Sequence, residues 1–380
     1  MYTNILLRFG ELSTKGKNKM TFVRHLEKNI KALICDEPDV LYDRMFLKYS
    51  DDALKKLNYI FGLQSFSPVV KVDTDITKIK KCILTLIKPS NKKTFKVITK
   101  RHWKGFGKSS MDFSGEIGGF ILENTDMKVD VKNPELKVEI EIRDDFSYVF
   151  VKRFSGLGGY PTGINGKVLH MMSGGIDSPI AALEMMKRGI HVDFLNFITP
   201  PHTDKRTVDK VNNIINLLIK YQGSAILYRS TYTNLMYKLA AISNPAYKIT
   251  LMRRSFYRIG AAIAFNKNYQ GISNGENLGQ VASQTLESMS VIQEVMTIPV
   301  YRPILTSDKI ETINKAIKVG TYSLSIGESD ETCEMFAPKA PVIKPALSVA
   351  KKLESEISDL IELENKNIEN LLETKHFKLS

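Results

Sequence analysis

The chain has 380 residues, 43% of them hydrophobic, with 54 Lys and Arg against 41 Asp and Glu for a formal net charge of +13. That length and apolar content suit two or three domains, each with its own core, and the positive balance favours a polyanionic partner. No apolar run is long enough to cross a bilayer, and the opening MYTNILLRFGELSTKGK lacks the charged-then-apolar order of a secretory leader, so a cytoplasmic protein with no membrane association is expected. Cys35, Cys82 and Cys333 form no CxxC pair, and six scattered His show neither HxxxH nor HExxH spacing. A disulfide framework and a metal site built from protein ligands alone are both disfavoured.

In chain order, Asn4 to Phe9 reads as a strand, Gly10 to Lys19 as a loop, and Met20 to Ile34 as an amphipathic helix. Met45 to Ser50 reads as a strand and Asp52 to Tyr59 as a short helix, a ferredoxin-like order for residues 1–60. A second module, 61–165, offers a helix over Asp75 to Ile87, a strand over Thr94 to Lys100 and a helix over Phe113 to Asn124. LKVEIEIRDDFSYVFVKRF then alternates as a hairpin, with Val138, Ile140 and Ile142 on one face and Glu139, Glu141 and Arg143 on the other. SGLGGYPTGINGK, with five glycines, reads as the connection onward.

Within the second module, Lys88 to Lys108 holds eight Lys or Arg and no acid, with Phe95, Trp103 and Phe106 interleaved. Cations neutralise phosphates and aromatic rings stack on bases, so Lys100, Arg101, Trp103, Lys104 and Lys108 are candidate RNA contacts. A solvated basic strand and loop is the plain alternative.

From Lys167 strands and helices alternate: strands over Val168 to Met172, His191 to Phe197, Ala225 to Tyr228 and from Gly271; helices over Ser178 to Arg188, Thr207 to Tyr221 and Ile249 to Asn266. Repeated βαβ order predicts an α/β fold with a parallel sheet over 166–345, its ligands at the carboxyl ends of the strands. Residues 346–380 read as a charged helical tail with Leu353, Ile357, Leu360, Ile361, Ile368 and Leu372 at helical spacing. The first strand ends at Met171 and Met172, Ser173-Gly174-Gly175 make a turn, and a helix opens near Ser178. Main-chain N–H groups and a helix N-terminus in that order form a concavity suited to phosphate. Asp177 could then ligate a phosphate-bound Mg2+, or simply cap the helix.

SGGIDS, at 173–178, resembles the signature of the PP-loop ATP pyrophosphatases, an adenine nucleotide alpha hydrolase fold, and that loop itself lacks the GK[ST] of a γ-phosphoryl-transfer loop. With ISNGENLGQVASQT at 272–285 and RPILTSDKIETI at 302–313, nearly the whole chain resembles the tRNA 4-thiouridine synthetases, or tRNA sulfurtransferases (the ThiI family). The resemblance implies ferredoxin-like and THUMP domains that bind tRNA ahead of the PP-loop domain. It also implies adenylation of O4 of uridine 8 by ATP, replacement by sulfur from a cysteine desulfurase persulfide, and release of AMP and pyrophosphate. Homodimers are usual in the family, and some members also serve thiamine biosynthesis.

Carried over by position, Met171, Met172, Ser173, Gly174, Gly175 and Ser178 match the nucleotide loop, Asn196 and Phe197 the adenine side, and Arg253, Gly275 and Gln284 further nucleotide contacts. Asp177, Lys309 and Cys333 match catalytic positions: a carboxylate, a lysine near the α-phosphoryl group and a sulfur-handling thiol. Asn274 stands where many relatives have Thr, and no rhodanese domain follows the sheet. Another PP-loop tRNA-modifying enzyme would share SGGIDS without needing LGQVASQT. A non-catalytic tRNA-binding protein would release no AMP.

Overall fold

In the computed structural model, which describes residues 2–327 and 337–379, the chain divides into two compact units, Met1–Gly159 and Tyr160–Ser380. Unit 1 contains strands β1 (Asn4–Phe9), β2 (Asp39–Val40), β3 (Arg44–Lys48), β4 (Leu63–Asp73), β5 (Thr94–Arg101), β6 (Lys128–Val129), β7 (Leu136–Ile142), β8 (Phe146–Phe150) and β9 (Phe154–Ser155). Its helices are α1 (Lys19–Ile34), α2 (Asp51–Lys56), α3 (Ile76–Ile87) and α4 (Ser110–Asn124). The sequence suggests a module boundary near residue 60, but no strand was expected over Leu63–Asp73. That strand is the hinge of the unit: its first part pairs with β1 and β9, and Val70–Asp73 pairs with β8. One nine-stranded sheet therefore runs through both expected modules. Pro68 falls between the stretches that pair with β9 and β8, where a missing N–H is tolerated because the ladder changes partner.

The hairpin β7–β8 forms as its alternation predicts, and Val138, Ile140 and Ile142 bury against α3 and α4 in the core. The opposite face is not solvated: Glu139 and Glu141 are also buried, for reasons that belong to the cleft described below. Two halves of the glycine-rich connection attach to different units. Gly156 and Gly158 hydrogen-bond to β4, whereas Tyr160, Gly163 and Asn165 bond to the Lys187 and Gly189 carbonyls. A Cβ at Gly156 would collide with the Leu63 carbonyl, which explains glycine at that position.

Unit 2 contains β10 (Lys167–Met171), α5 (Asp177–Lys187), β11 (His191–Ile198), α6 (Lys205–Leu218), β12 (Ser224–Thr231), α7 (Thr233–Ala240), α8 (Lys248–Asn266), β13 (Ile272–Ser273), α9 (Leu286–Gln293), β14 (Val300–Tyr301), α10 (Lys309–Val319) and α11 (Tyr322–Ser325). After the undescribed stretch come α12 (Leu347–Glu354), α13 (Leu360–Glu369) and β15 (Glu373–Lys378). The sheet order is β14-β13-β10-β11-β12-β15, parallel throughout except for β15. Chain order runs outward from β10 to β12 on one side and reappears at β13 on the other. Such a reversal opens a crevice at the carboxyl ends of the central strands.

The helical expectation for the tail holds only in part. Leu353, Ile357 and Leu360 are buried against the α8 side of the core, while Ile361 and Leu372 are exposed. Arg254 and Arg258 of α8 reach Glu354, and Arg258 also reaches Glu364, which fixes α12 and α13 in place. The last residues form β15, antiparallel to β12, because an open edge beside β12 offers unpaired main-chain groups that a helix could not satisfy.

Candidate functional site

Three loops at the carboxyl ends of β10, β11 and β13 enclose a cavity of about 270 Å³. Met171, Met172, Ser173, Gly174, Gly175, Asp177 and Ser178 line it from the first loop, Asn196 and Phe197 from β11, and Gly275 and Gln284 from the segment after β13; Arg253 enters from α8. Every residue matched to the nucleotide loop, adenine side and further nucleotide contacts thus borders one space. Thr203, Thr207, Phe256, Tyr257, Asn274 and Glu276 border it too, without having been singled out as site residues.

The first loop is held from behind. Ser178 Oγ accepts from the Ser173 N–H at 3.1 Å, and the Asn196 amide donates to the Met172 carbonyl at 3.0 Å. Asp177 does not cap the helix: it stands at the first helical position after Ile176, with its carboxylate turned to Lys309 at 2.8 and 2.9 Å and to Gln280 at 2.9 Å. Two expected catalytic side chains, 132 residues apart, therefore form one ion pair at a helix N-terminus. Cys333 lies outside the described residues.

Gly275 is required by proximity. A Cβ there would stand 2.7 Å from the Ser178 nitrogen and 2.8 Å from its Cα, so the loop after β13 reaches the first turn of α5 only without a side chain. Next to it, Glu276 is almost fully buried and takes hydrogen bonds from Arg253 (2.5 Å), Arg302 (2.5 Å) and the Tyr257 hydroxyl (2.9 Å). Burial by itself would raise its pKa; the two guanidiniums and their hydrogen bonds overrule it and hold the carboxyl below its ordinary value. An isolated buried carboxylate costs several kcal/mol, which this charge-assisted set offsets while aiming Arg253 at the cavity. On the other wall Phe197 and Phe256 stack with centroids 4.0 Å apart and planes 8° from parallel, an apolar surface suited to a flat heterocycle.

Among the described residues no three His, Cys, Asp or Glu side chains converge. Asp177 is a single carboxylate, a donor set that fits a hard cation carried mainly by phosphate oxygens and water.

Unit 1 carries a second feature, a cleft of about 520 Å³ lined by Arg8, Arg44, Lys100 and Arg153 together with Phe9, Gln64, Ser65 and Ser155. Glu141 pairs with Arg8 at 3.4 Å and Arg44 at 3.3 Å, and Glu139 with Arg153 at 2.9 Å, leaving cationic excess. Arg8 is buried, and its Nε has no partner among the described residues. Burial pushes the Arg8 pKa down to about 10 despite Glu141, so it stays charged at neutral pH.

Of the basic stretch read from sequence, Lys100 lines this cleft. Arg101 donates to the Lys108 carbonyl, Lys108 pairs with Glu116, and Lys104 is exposed. Trp103 lies against Gly105, where any Cβ would strike its ring. Phe95 is fully buried and Phe106 packs edge-on against Phe113, so these two rings belong to the core rather than to a stacking surface. Arg8, Arg44 and Arg153 could not have been grouped from sequence, because the sheet alone brings them together.

The architecture is that of a PP-loop α/β domain behind a ferredoxin-like and THUMP unit, the class of ATP-using RNA-modifying enzymes. Residues 163–358 match the family model described as thiamine biosynthesis protein (ThiI), 73–152 the THUMP domain, and 4–67 the ThiI ferredoxin-like domain. The chain is 47% identical over 374 residues to a probable tRNA sulfurtransferase of Mycoplasmopsis agalactiae, covering 98% of this chain and 99% of that one. A protein of the same description from Metamycoplasma arthritidis is 46% identical over 373 residues, with 98% of each chain covered. The crystal structure of a 4-thiouridine synthetase–RNA complex with bound ATP superposes over 100% of both chains, with a TM-score of 0.92 at 32% identity. The chain belongs to the ThiI family of tRNA sulfurtransferases, which are transferase enzymes.

No helix among the described residues is long and apolar enough to cross a membrane.

Proposed function

We propose that unit 2 binds ATP with Mg2+ in the 270 Å³ cavity and adenylates O4 of uridine 8 in a tRNA held by unit 1, so that sulfur replaces that oxygen. The observation that carries this reading is the Asp177–Lys309 pair at the α5 N-terminus, beside a loop whose main chain can cradle phosphate. Attack of O4 on the α-phosphorus breaks its bond to the bridging oxygen, and pyrophosphate leaves. Lys309 stabilises negative charge developing at that phosphorus, and the helix N-terminus adds partial positive charge. Mg2+ supplies charge neutralisation on the phosphates, with Asp177 as its protein-side donor.

The Phe197–Phe256 surface takes the adenine, and Arg253, oriented by Glu276, the polyphosphate or ribose side. The cationic cleft and the Trp103–Lys108 turn give unit 1 its grip on tRNA phosphates. Cys333 then handles sulfur delivered as a persulfide by a cysteine desulfurase, as acceptor or as resolving thiol: the terminal sulfur bonds to carbon 4 as AMP leaves. A second thiol then attacks the carrier sulfur, so that the S–S bond breaks, 4-thiouridine is freed and the two thiols end as a disulfide that a thiol reductant reopens. Family membership supports a homodimer in the cytoplasm and a supply of sulfur to thiamine synthesis.

The test combines tRNA, ATP, Mg2+, a cysteine desulfurase, cysteine and a thiol reductant, with nucleoside mass spectrometry. The parent chain should form AMP and 4-thiouridine at position 8. Cys333→Ser should still release pyrophosphate, and AMP through hydrolysis of the adenylate, while losing thiolation, and full thiolation in that variant would remove the thiol from the reaction.

A further inference from the structure

The strand that enters the first loop carries a histidine where a strand covered on both faces ordinarily takes an aliphatic side chain. His170 is fully buried and its ring bridges two elements. Nδ1 lies 2.7 Å from Ser273 Oγ on β13, and Nε2 lies 3.2 Å from Ser178 Oγ in the first turn of α5. Ser178 Oγ also accepts from the Ser173 N–H at 3.1 Å and stands 3.3 Å from the Met171 carbonyl.

Proton counting selects one arrangement. A hydroxyl has one proton and two lone pairs, and a neutral imidazole has one N–H. With that proton on Nε2, the ring donates to Ser178, Ser178 keeps its other lone pair for Ser173, and its own proton goes to the Met171 carbonyl or to Met172 Sδ, 3.1 Å away. Ser273 donates to Nδ1, and every group is satisfied. With the proton on Nδ1, the Ser178 proton must turn to the ring and the bond to Met171 is lost. Burial pushes the ring's pKa down to about 3, so it remains neutral across physiological pH.

We propose that His170 is a positioning residue for the nucleotide loop: through Nε2–H it fixes Ser178 Oγ as the acceptor for the Ser173 N–H, and so sets the curvature of Met171–Gly175 against the ATP phosphates. The inference rests on the reading of this loop as the ATP site. No nucleotide contact is assigned to His170 itself. It acts only through Ser178, and that dependence makes the idea testable.

ATP affinity, measured by calorimetry with Mg2+, is compared for the parent, His170→Leu, Ser178→Ala and the double variant. His170→Leu should weaken ATP binding about tenfold in the parent and add nothing once Ser178 is Ala, the non-additivity expected of two residues in one network. Equal weakening in both backgrounds, or affinity within about twofold of the parent, would overturn the proposal. Should His170→Leu not fold, Ser273→Ala removes only the Nδ1 partner. A loss of about threefold that vanishes beside Ser178→Ala supports the proposal, and an equal loss in both backgrounds rejects it. A parent chain without ATP affinity would dismiss the nucleotide reading itself, whereas a binding parent with additive variants would dismiss only the role of His170.

Discussion

The cavity of unit 2 and the cleft of unit 1 both suit anions, but they are built on opposite principles. At the cavity each cation is tied to a carboxylate, Lys309 to Asp177 and both Arg253 and Arg302 to Glu276, while hydroxyls, amides and a glycine fix the shape of the loops. In the cleft four cations face Glu139 and Glu141, and Arg8 Nε has no hydrogen-bond partner among the described residues. A site of tied-down charges and fixed shape recognises one compact ligand through geometry. An unbalanced one attracts any phosphate chain through its field, and its affinity falls as salt rises.

The two principles separate under substitution. Lys309→Ala should have the largest effect, lowering the rate of AMP formation about 10²- to 10³-fold at saturating ATP, as for removal of a preorganised charge at a reacting phosphoryl group. A rate within about threefold of the parent would show that the lysine only anchors Asp177. Gly275→Ala should come next. Its Cβ cannot sit 2.7 Å from the Ser178 nitrogen, so the loop must withdraw and ATP affinity should drop about tenfold or more, with tRNA affinity unchanged. The smallest effect belongs to the cleft: Arg153→Met should weaken tRNA binding severalfold and reduce the slope of log K against log salt by about 1, leaving ATP affinity untouched. Filter binding across a salt series reads that slope, and an unchanged slope would place the tRNA backbone elsewhere.

The same contrast explains what could be seen in the sequence. The cavity's front is local: SGGIDS puts strand end, turn and helix start within a few residues, and the chemistry of each type declares itself. Its back is not, since His170 meets Ser273 103 residues away and Arg302 meets Glu276 from a separate segment. No local signal separates such a histidine from one that merely fills a core. The cleft was harder still. Arg8 lies on β1, Arg44 on β3 and Arg153 between β8 and β9, and only the pairing of β4 with β1, β8 and β9 gathers the sheet around them. The basic run from Lys88 to Lys108 was conspicuous by composition, yet Phe95 turned inward because alternation along β5 assigns faces regardless of chemistry, and Phe106, on the turn after β5, packs on Phe113 of α4. The terminal strand β15 was missed because ETKHFK has no apolar alternation, and its place is set by the open edge of β12.

The central claim is that the cavity opens ATP at its innermost phosphorus. ATP labelled separately at the α and γ positions, incubated with Mg2+, tRNA, a cysteine desulfurase, cysteine, a thiol reductant and the chain, should yield α-labelled AMP and γ-labelled pyrophosphate in equal amounts. Release of γ-labelled phosphate with α-labelled ADP would contradict the account.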